Sequence, residues 1–354
     1  MNQLATIRPL SPEPDLQILP LERARAEWDA LANSHPDATL YHRGPWLEVL
    51  RRAFDVRPSV AILGDSDSIH AACLLAHGGN PFRRSLISLP FSDFCPPLVA
   101  NENDSARDSL MSGLASTLSQ TRLEIRGAAA SAPWQVLDHF QRWTLDLSRP
   151  FQAIERAADR EVRRHLRRAR TAGVSVECSR SAEAIETFFA LQLESRRRLG
   201  VPSQPLKFFR VVHEVFAQLD SIEVWFASHR GVRIAAVVVL RDSDVLHAKW
   251  SARMAGAPDG ASHLIFMSIA EQHAQRARAL DFGRTDSRNR GLSRFKRELG
   301  AHAAALPYSY FPNAPSVTSA ENLTGVWQTA SRAWRVLPIP VARALNSVTY
   351  RYLA

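Results

Sequence analysis

Cysteine is scarce in this sequence, and metal-ligand spacings are absent from it. Cys73, Cys95 and Cys178 lie far apart, and none belongs to a CxxC pair. The histidines show no HExxH or comparable spacing. A disulfide framework, a structural zinc site and a catalytic metal are therefore not expected.

Long apolar runs and the common catalytic signatures are also missing. No run approaches the roughly 18–20 residues that a membrane span requires, and the opening MNQLATIRPLSPEPD lacks the apolar core of a signal peptide. No nucleophile elbow, Walker loop or Rossmann fingerprint occurs. We predict a cytoplasmic location for the chain, with contact at the inner membrane surface as the one addition considered below.

Lysine is rare, and arginine carries nearly all of the positive charge. The only lysines are Lys207, Lys249 and Lys296, although Lys+Arg total 44 against 35 Asp+Glu, a net charge of +9. Such an excess favours phosphate-bearing partners, which include nucleic acid, a cofactor, a nucleotide-sugar or anionic lipid. A codon bias towards alanine and arginine explains the overall excess without any partner.

The order of predicted elements indicates an α/β (α+β) chain with two domains. Residues 1–15 are Pro-rich and predicted to be loose, and residues 16–147 alternate strands and helices in one α/β unit. Residues 148–315 read as helix, strand, two helices, three strands, helix and strand, which is the order of a GNAT-type acyltransferase core. We predict two tandem GNAT-like domains and a basic, aromatic helical tail at 316–354, broken at Pro338 and Pro340.

One predicted helix, IERAADREVRRHLRRARTAG, carries arginines along one side and ends at Gly173. The positions on that side are Arg156, Arg160, Arg163, Arg164, Arg167, Arg168 and Arg170. Guanidinium groups match phosphate oxygens, so Arg160, Arg163 and Arg167 are candidate substrate-binding residues. A solvated helix surface is the competing interpretation.

Two further segments are candidates for binding a substrate or donor. In ESRRRLGVP, Arg196 and Arg197 either line a binding site or stabilise the end of a helix through its dipole. In RMAGAPDGASHL, a glycine-bearing loop before a helix is the place where a GNAT domain holds the CoA pyrophosphate, although Pro258 removes one N–H donor. Trp250, in the strand before that loop, is a further substrate-binding candidate.

The stretch DFGRTDSRNRGLSRFKRELG, from Asp281 to Gly300, mixes polar residues and glycine after an apolar strand. Gly283 lets the chain turn closely past a ligand. Lys296 places a compact charge where arginine would place a wide fork, which suits a site that meets one oxygen atom. With Thr285 and Phe295 in the same stretch, we predict a functional site here.

This stretch resembles the FemAB family of GNAT-related acyl and aminoacyl transferases, and in particular its branch associated with exosortase/PEP-CTERM and exopolysaccharide loci. That branch shows D-F-G-R-S…G…F-K-x-x-[WF]-G…L-x-Y-x-Y. The matching positions are Asp281, Phe282, Gly283, Arg284, Gly291, Phe295, Lys296, Gly300, Leu306, Tyr308 and Tyr310. Thr285 replaces the serine, Asp286 a customary lysine, and Leu299 the aromatic residue.

The resemblance implies a cleft between two GNAT-like domains, in which an acyl or aminoacyl group passes to an amine or hydroxyl of an envelope or exopolysaccharide precursor. The donor would be acyl-CoA or aminoacyl-tRNA, and no metal would take part. Lys296, Arg284 and Asp281 would be catalytic, with Lys296 meeting a carbonyl oxygen or an acceptor phosphate. The alternatives are a non-catalytic scaffold of a polysaccharide assembly system and, with no motif to support it, a nucleic-acid binder. For the tail, contact with a membrane surface competes with packing on the second domain.

Overall fold

The structure, a computed structural model, describes residues 15–65, 68–78, 85–100, 104–315 and 325–350. These residues form two compact units. The first unit contains the described residues up to 47, together with those between 55 and 137 and residues 307–315. The second contains 48–54, 138–306 and the described part of the tail.

The first unit is built on one sheet. Its strands are β1 (Asp15–Pro20), β2 (Ser59–Gly64), β3 (Ile69–Gly78), β4 (Ser85–Ile87), β5 (Leu98–Val99), β6 (Leu123–Arg126), β7 (Gln135–Leu137) and, from much later in the chain, β15 (Tyr308–Phe311). They lie in the order β1-β2-β3-β4-β6-β15-β7, with β5 beside β3. Among the described strands of this sheet, β4 and β6 alone are paired in parallel.

The helices that begin in this unit are α1 (Arg25–Ser34), α2 (Gly44–Phe54) and α3 (Asp104–Thr117). Leu110 and Leu114 of α3 are fully buried and share a core with strand residues such as Leu75 and Ile125. These leucines are four residues apart, which places them on one helix face and explains why α3 covers the sheet.

The second unit has a sheet in the order β14-β8-β13-β12-β11-β10-β9. Its strands are β8 (Phe140–Asp146), β9 (Val174–Ser179), β10 (Ile222–His229), β11 (Val232–Asp242), β12 (Val245–Arg253), β13 (Ala279–Asp286) and β14 (His302–Ala305). Its helices are α4 (Phe151–Ala157), α5 (Arg160–Thr171), α6 (Ala182–Leu199), α7 (Leu206–Ala217), α8 (Ala261–His273), α9 (Arg290–Glu298), α10 (Gly325–Val336) and α11 (Ile339–Thr349). The β12–β13 pair is parallel, and every other pair of neighbouring strands described in this sheet is antiparallel.

Helices cover both faces of the central strands in this unit, which is why β10 and β11 read as continuous apolar runs. Trp225 and Val237 belong to the core shared with α5 and α8. On β12, Trp250 instead meets α7, where Phe208 and Phe209 lie edge-on against its ring at 5.3 Å. The helices α6 and α7 pack on each other and on these strands.

The predicted domain boundary between residues 147 and 148 differs from this division. The segment WQVLDHFQRWTLDLS contains two strands that belong to different sheets: β7 pairs with β15 in the first sheet, and β8 pairs with β13 and β14 in the second. The chain therefore enters the second sheet at Phe140 and returns to the first at Tyr308. Strand pairing between distant segments decides this exchange, and local sequence does not encode it.

The single arginine helix of the sequence prediction is wrong, because the structure breaks it at Ala158 and Asp159. Ala158 has an extended backbone, with φ −64° and ψ 145°, and the Asp159 side chain accepts a hydrogen bond from the N–H of Glu161. An aspartate at this position starts a new helix by capping it. Arg156 consequently belongs to α4 rather than to the arginine side of α5.

Local residues set the ends of α6 and the break in the tail. The hydroxyl of Ser181 accepts the N–H of Ala184 at the start of α6, and Gly200 ends that helix at φ +76°. In the tail, the helix breaks at Pro338, while Pro340 lies in the first turn of α11 without interrupting it. The predicted loose N-terminus lies outside the described residues except for Asp15, which begins β1.

Candidate functional site

The one parallel ladder of the second sheet ends abruptly. The strands β12 and β13 pair through three positions, of which His247 with Asp281 is the last. Beyond it β12 continues along β11 as far as Arg253, whereas β13 continues along β8 as far as Asp286. A V-shaped opening therefore begins in this sheet immediately after Asp281.

A bulge in β13 lies at the start of this opening. The register between β13 and β8 shifts between Asp281 and Arg284, so Phe282 and Gly283 lie outside both ladders of their strand. Gly283 has φ +68°, a left-handed conformation that glycine adopts without strain. The bulge exposes backbone carbonyl groups that neighbouring strands do not satisfy.

Lys296 satisfies those carbonyls from α9. Its Nζ donates to the carbonyl oxygen of Phe282 at 2.8 Å and to Thr285 Oγ1 at 2.6 Å, and lies 3.4 Å from the carbonyl oxygen of Gly283. The residue is only 4% exposed. Three oxygen atoms around one point suit the three donors of a compact ammonium group, and the flat guanidinium fork would not reach all of them.

Asp281 fixes the opposite side of the bulge. Its Oδ1 accepts the N–H of Gly283 at 2.6 Å, and its Oδ2 accepts Arg142 Nε at 2.8 Å. The same Oδ2 lies 3.6 Å from His247 Nδ1, and the carboxylate is fully buried. Asp281 and Lys296 therefore hold the Phe282–Gly283 bulge from two directions.

Arg284 is the exposed member of the group. Its guanidinium lies over the ring of Phe140, 4.4 Å from the ring centre, which orients the charge while leaving the residue open to solvent. Phe295, on α9, is half-buried against His263 and Phe266. Phe295 thus ties α9 to α8 through apolar contacts.

Trp250, Arg196 and Arg197 lie elsewhere in the unit. Trp250 is buried against α7, as described above. Arg196 donates to the carbonyl of Pro202 at 3.1 Å, and burial lowers the pKa of its guanidinium. Arg197 donates to the carbonyls of Arg335 and Leu337 in the tail, so both arginines bind the chain's own backbone.

The arginines of α5 remain on the surface. Arg160, Arg163 and Arg167 are exposed, and with Glu161 and Arg164 they line a shallow depression of about 430 Å³. Arg160 and Arg167 form no ion pair with any residue that the structure describes. This depression, lined by one acidic and four basic residues, is a local concentration of positive charge.

The N-terminus of α8, where the sequence predicts a pyrophosphate site, is crowded. A Cβ on Gly260 would lie 2.1 Å from the carbonyl oxygen of His165, so α5 touches this helix end directly. Arg253 donates to the carbonyl of Ala257 at 2.6 Å. The carboxylate of Asp259 lies 3.5 Å from Arg168, which places a negative group where an anion would bind.

The ring of His165 stacks on that of His263 beneath the same helix end, with ring centres 4.5 Å apart and planes 8° from parallel. Burial, together with the neighbouring charge of His165, lowers the pKa of His263 to about 4. Within the described part of the chain, no group of three or more His, Cys, Asp or Glu residues is placed to hold a metal ion.

A buried ionic network lies in the same unit, around Glu223. Its carboxylate accepts hydrogen bonds from His273 Nε2 and Trp225 Nε1, both at 2.9 Å, and from Arg180 at 2.8 Å. Burial opposes the charged form, but these hydrogen bonds outweigh it and lower the pKa of Glu223 to about 2. The network is structural, since its acceptors and donors are engaged with one another.

Sequence reasoning missed Arg142 and His247, which contact Asp281. They lie on β8 and β12, the strands that flank β13. Nothing in their local sequence sets them apart from other strand residues, and only the strand order brings them to Asp281.

Comparison with known proteins places this fold among known ones. Residues 156–297 match the family of acetyltransferase (GNAT) domains. The solved structure of FemX superposes with a TM-score of 0.58 at 13% identity, over 80% of this chain and 95% of FemX. At such identity the likeness shows the fold, and the chain has a FemAB-like fold of two tandem GNAT-like domains, as the sequence predicted.

Two further structures share the fold. The C-terminal domain of an Agrobacterium fabrum protein described as a lysylphosphatidylglycerol synthetase matches with a TM-score of 0.50 at 13% identity, over 88% of this chain and 94% of that one. L-PGS from Bacillus licheniformis matches with a TM-score of 0.50 at 12% identity, over 92% and 98%. No curated protein matches the sequence. Among the described helices of this chain, none is long and apolar enough to cross a membrane.

Proposed function

We propose that the chain transfers an acyl or aminoacyl group to an amine or hydroxyl of a cell-envelope or exopolysaccharide precursor. The observation that carries the proposal is the opening between β12 and β13 beside a rigid bulge, within a GNAT domain. The neighbour described as a lysylphosphatidylglycerol synthetase supports an envelope acceptor by analogy of fold alone. The exosortase/PEP-CTERM branch remains a prediction from motif resemblance.

In this transfer the acceptor's nitrogen or oxygen attacks the acyl carbonyl carbon. The new C–N or C–O bond forms, the bond to the CoA sulfur or tRNA ribose oxygen breaks, and the acceptor's proton passes to the leaving group. Negative charge develops on the carbonyl oxygen in between, and a fixed cation or N–H donor stabilises it. We assign this contact, or a contact to a substrate phosphate, to Arg284, the exposed cation next to the bulge.

Lys296 and Asp281 take a different part in this proposal from the one the sequence suggested. Their hydrogen bonds go to Phe282, Thr285 and Gly283 of the chain itself, which favours roles as positioning residues. A bulge held from both sides keeps Arg284 in a fixed place, and misplacement by about 1 Å costs about a hundredfold in rate. Of the remaining candidates, Gly283 and Phe295 border this region, and Trp250, Arg196 and Arg197 support the fold.

The donor is proposed to be aminoacyl-tRNA in preference to acyl-CoA. At the N-terminus of α8, Asp259 would repel the CoA pyrophosphate and Pro258 offers no N–H. The exposed arginines of α5 suit a phosphate backbone, and tRNA phosphates would be bound there in a salt-dependent way. A peripheral position at the inner membrane belongs to the same proposal.

The test supplies labelled acyl-CoAs and labelled aminoacyl-tRNAs separately, with a cell-envelope extract as acceptor. We expect transfer from aminoacyl-tRNA, and its loss by about 10²–10³ in Arg284→Ala. Arg276→Ala, which removes another exposed arginine of the GNAT domain, serves as the control and keeps the wild-type rate. Transfer from acyl-CoA would overturn the donor assignment, and consumption of neither donor would favour the non-catalytic scaffold.

A further inference from the structure

The tail forms a pair of helices, α10 and α11, with one side fixed to the GNAT domain. Ala342 and Asn346 of α11 are fully buried, and Asn346 Oδ1 accepts the N–H of Ser203 at 3.1 Å. Arg197 holds the turn between the helices through the carbonyls of Arg335 and Leu337. A Cβ on Gly200 would fall 2.7 Å from the Ser331 carbonyl oxygen, so α10 meets the end of α6 closely.

Beside this fixed side, part of the surface of the helix pair is apolar and exposed. Val336 is 79% exposed, and Ile339, Val341 and Leu345 are between 39% and 45% exposed. These four, referred to as the tail patch, are close to half of the large hydrophobic residues exposed anywhere in the described chain. Anchoring on α6 fixes the orientation of the helices, so the tail patch does not turn inward.

The charge beside the tail patch has one sign. Arg332 and Arg335 are exposed, as is Arg343, whose guanidinium lies 5.7 Å from the ring centre of Phe189 on α6, and no acidic residue occurs between residues 322 and 354. Aliphatic side chains flanked by arginines on a short helix pair are the pattern of a helix that lies in the plane of a bilayer surface. The arginines then meet lipid phosphates, for which the guanidinium fork is well shaped.

We propose that the tail patch docks on an anionic lipid bilayer, with the aliphatic residues at the acyl boundary and the arginines at the headgroups. The inference rests on the proposed function, which gives membrane binding its purpose: a transferase that modifies a lipid-linked precursor meets its acceptor at the membrane surface. Lipid binding itself requires neither donor nor acceptor, and it is measured without them. Failure of one proposal is therefore distinguishable from failure of the other.

The experiment is co-sedimentation of the full chain with phosphatidylcholine vesicles that contain or lack phosphatidylglycerol. We expect binding to the anionic vesicles, weakened by added salt. The double variant Val336→Asp with Ile339→Asp should lower the bound-to-free ratio about tenfold or more. The matched control, Val232→Asp with Leu219→Asp, adds the same charge at positions 54% and 53% exposed in the same unit and should bind as wild type.

A second arm tests the charges. Arg332→Gln with Arg335→Gln should weaken binding by about fivefold for each arginine removed. Arg163→Gln with Arg167→Gln, on α5, should leave lipid binding unchanged. Loss of binding in the α5 variant, with the tail variants intact, would move the lipid site away from the tail patch and overturn the proposal.

Two further results would also overturn it. One is a wild-type chain that does not co-sediment with anionic vesicles. The other is a wild-type dimer, detected by light scattering, that Val336→Asp with Ile339→Asp converts to a monomer while vesicles are never bound, which would assign the tail patch to a second copy of the chain.

Discussion

Replacing Lys296 by methionine tests the role that the structure gives to this lysine. The change keeps the length of the side chain and removes its donors, leaving the Phe282 carbonyl and Thr285 Oγ1 unsatisfied in a buried place. Each such group costs about 1–3 kcal/mol, and the contact to the Gly283 carbonyl oxygen, at 3.4 Å, is the weakest of the three and adds least. Since burying an ammonium is itself unfavourable, we expect a net loss of about 2–4 kcal/mol in the free energy of unfolding.

Lys296→Arg and Thr285→Val sharpen the test. The guanidinium is larger than the ammonium and overpacks the site, which costs about 1–3 kcal/mol. Thr285→Val removes one acceptor, and because it contacts Lys296 directly, the double variant with Lys296→Met should lose less than the sum of the two single losses.

Urea denaturation followed by circular dichroism measures these effects. Lys207→Met, at an exposed position of α7, is the control and should change the free energy by less than about 0.5 kcal/mol. A Lys296→Met protein that is as stable as the control yet loses transfer activity would refute the positioning role. The lysine would then act directly on the substrate, as the sequence alone suggested.

Three other changes follow from the same structure. The triple variant Arg160→Gln, Arg163→Gln and Arg167→Gln should bind tRNA more weakly and with a smaller dependence on salt concentration, at an unchanged Tm. An unaltered affinity in filter binding would favour the interpretation of α5 as a solvated helix surface. Glu223→Gln should lower the free energy of unfolding by close to 3 kcal/mol, because the pKa of Glu223 is about 2 in the folded protein against 4.5 ordinarily. In the wild type this stability is fully present above about pH 4.5 and is lost as the pH falls towards about 2. A variant whose stability falls with acid as much as that of the wild type would contradict the network. Arg197→Ala should release the turn between α10 and α11 and speed proteolysis there; an unchanged cleavage rate would mean that other contacts hold the tail.

The order of elements in the GNAT domain could be predicted from the sequence because it depends on local signals. Ser181 and Gly200 mark the two ends of α6 by their own chemistry, and the run ALDFGR gives β13. The apolar stretches of β10 and β11 similarly indicate strands that are buried on both faces.

The exchange of strands between the two sheets could not be predicted in this way. β7 and β15 are short, and their place depends on pairing with each other and with β6 across the length of the chain. Two residues, Asp138 and His139, separate β7 from β8, and neither is a glycine or proline that would mark the change of sheet.

The role of each arginine was also difficult to predict from the sequence, because an arginine side chain can bind either a ligand or a carbonyl group of its own chain. Arg196, Arg197 and Arg198 resemble a binding cluster in sequence, yet each donates to a backbone carbonyl. Their acceptors include the tail and the end of β12, which lie far away in sequence. The exposed arginines of α5 look no different in composition. Arg160 and Arg167 form no ion pair with a residue that the structure describes, whereas Arg163 also donates to a backbone carbonyl, that of Ala158.

The same distinction explains why the motif DFGR…FK combines glycine, an acid and two cations. Transfer requires an attacking group and an acyl carbonyl to be held in line, which demands a rigid frame around the opening in the sheet. A bulge supplies the opening but leaves carbonyls unpaired, and a buried carbonyl without a partner destabilises the fold. Lys296 and Asp281 are buried and form hydrogen bonds to the backbone of the bulge. Arg284 is therefore the one of the three charged motif residues that faces solvent. A motif cation that faces inward stabilises the frame, and one that faces outward is available to the substrate.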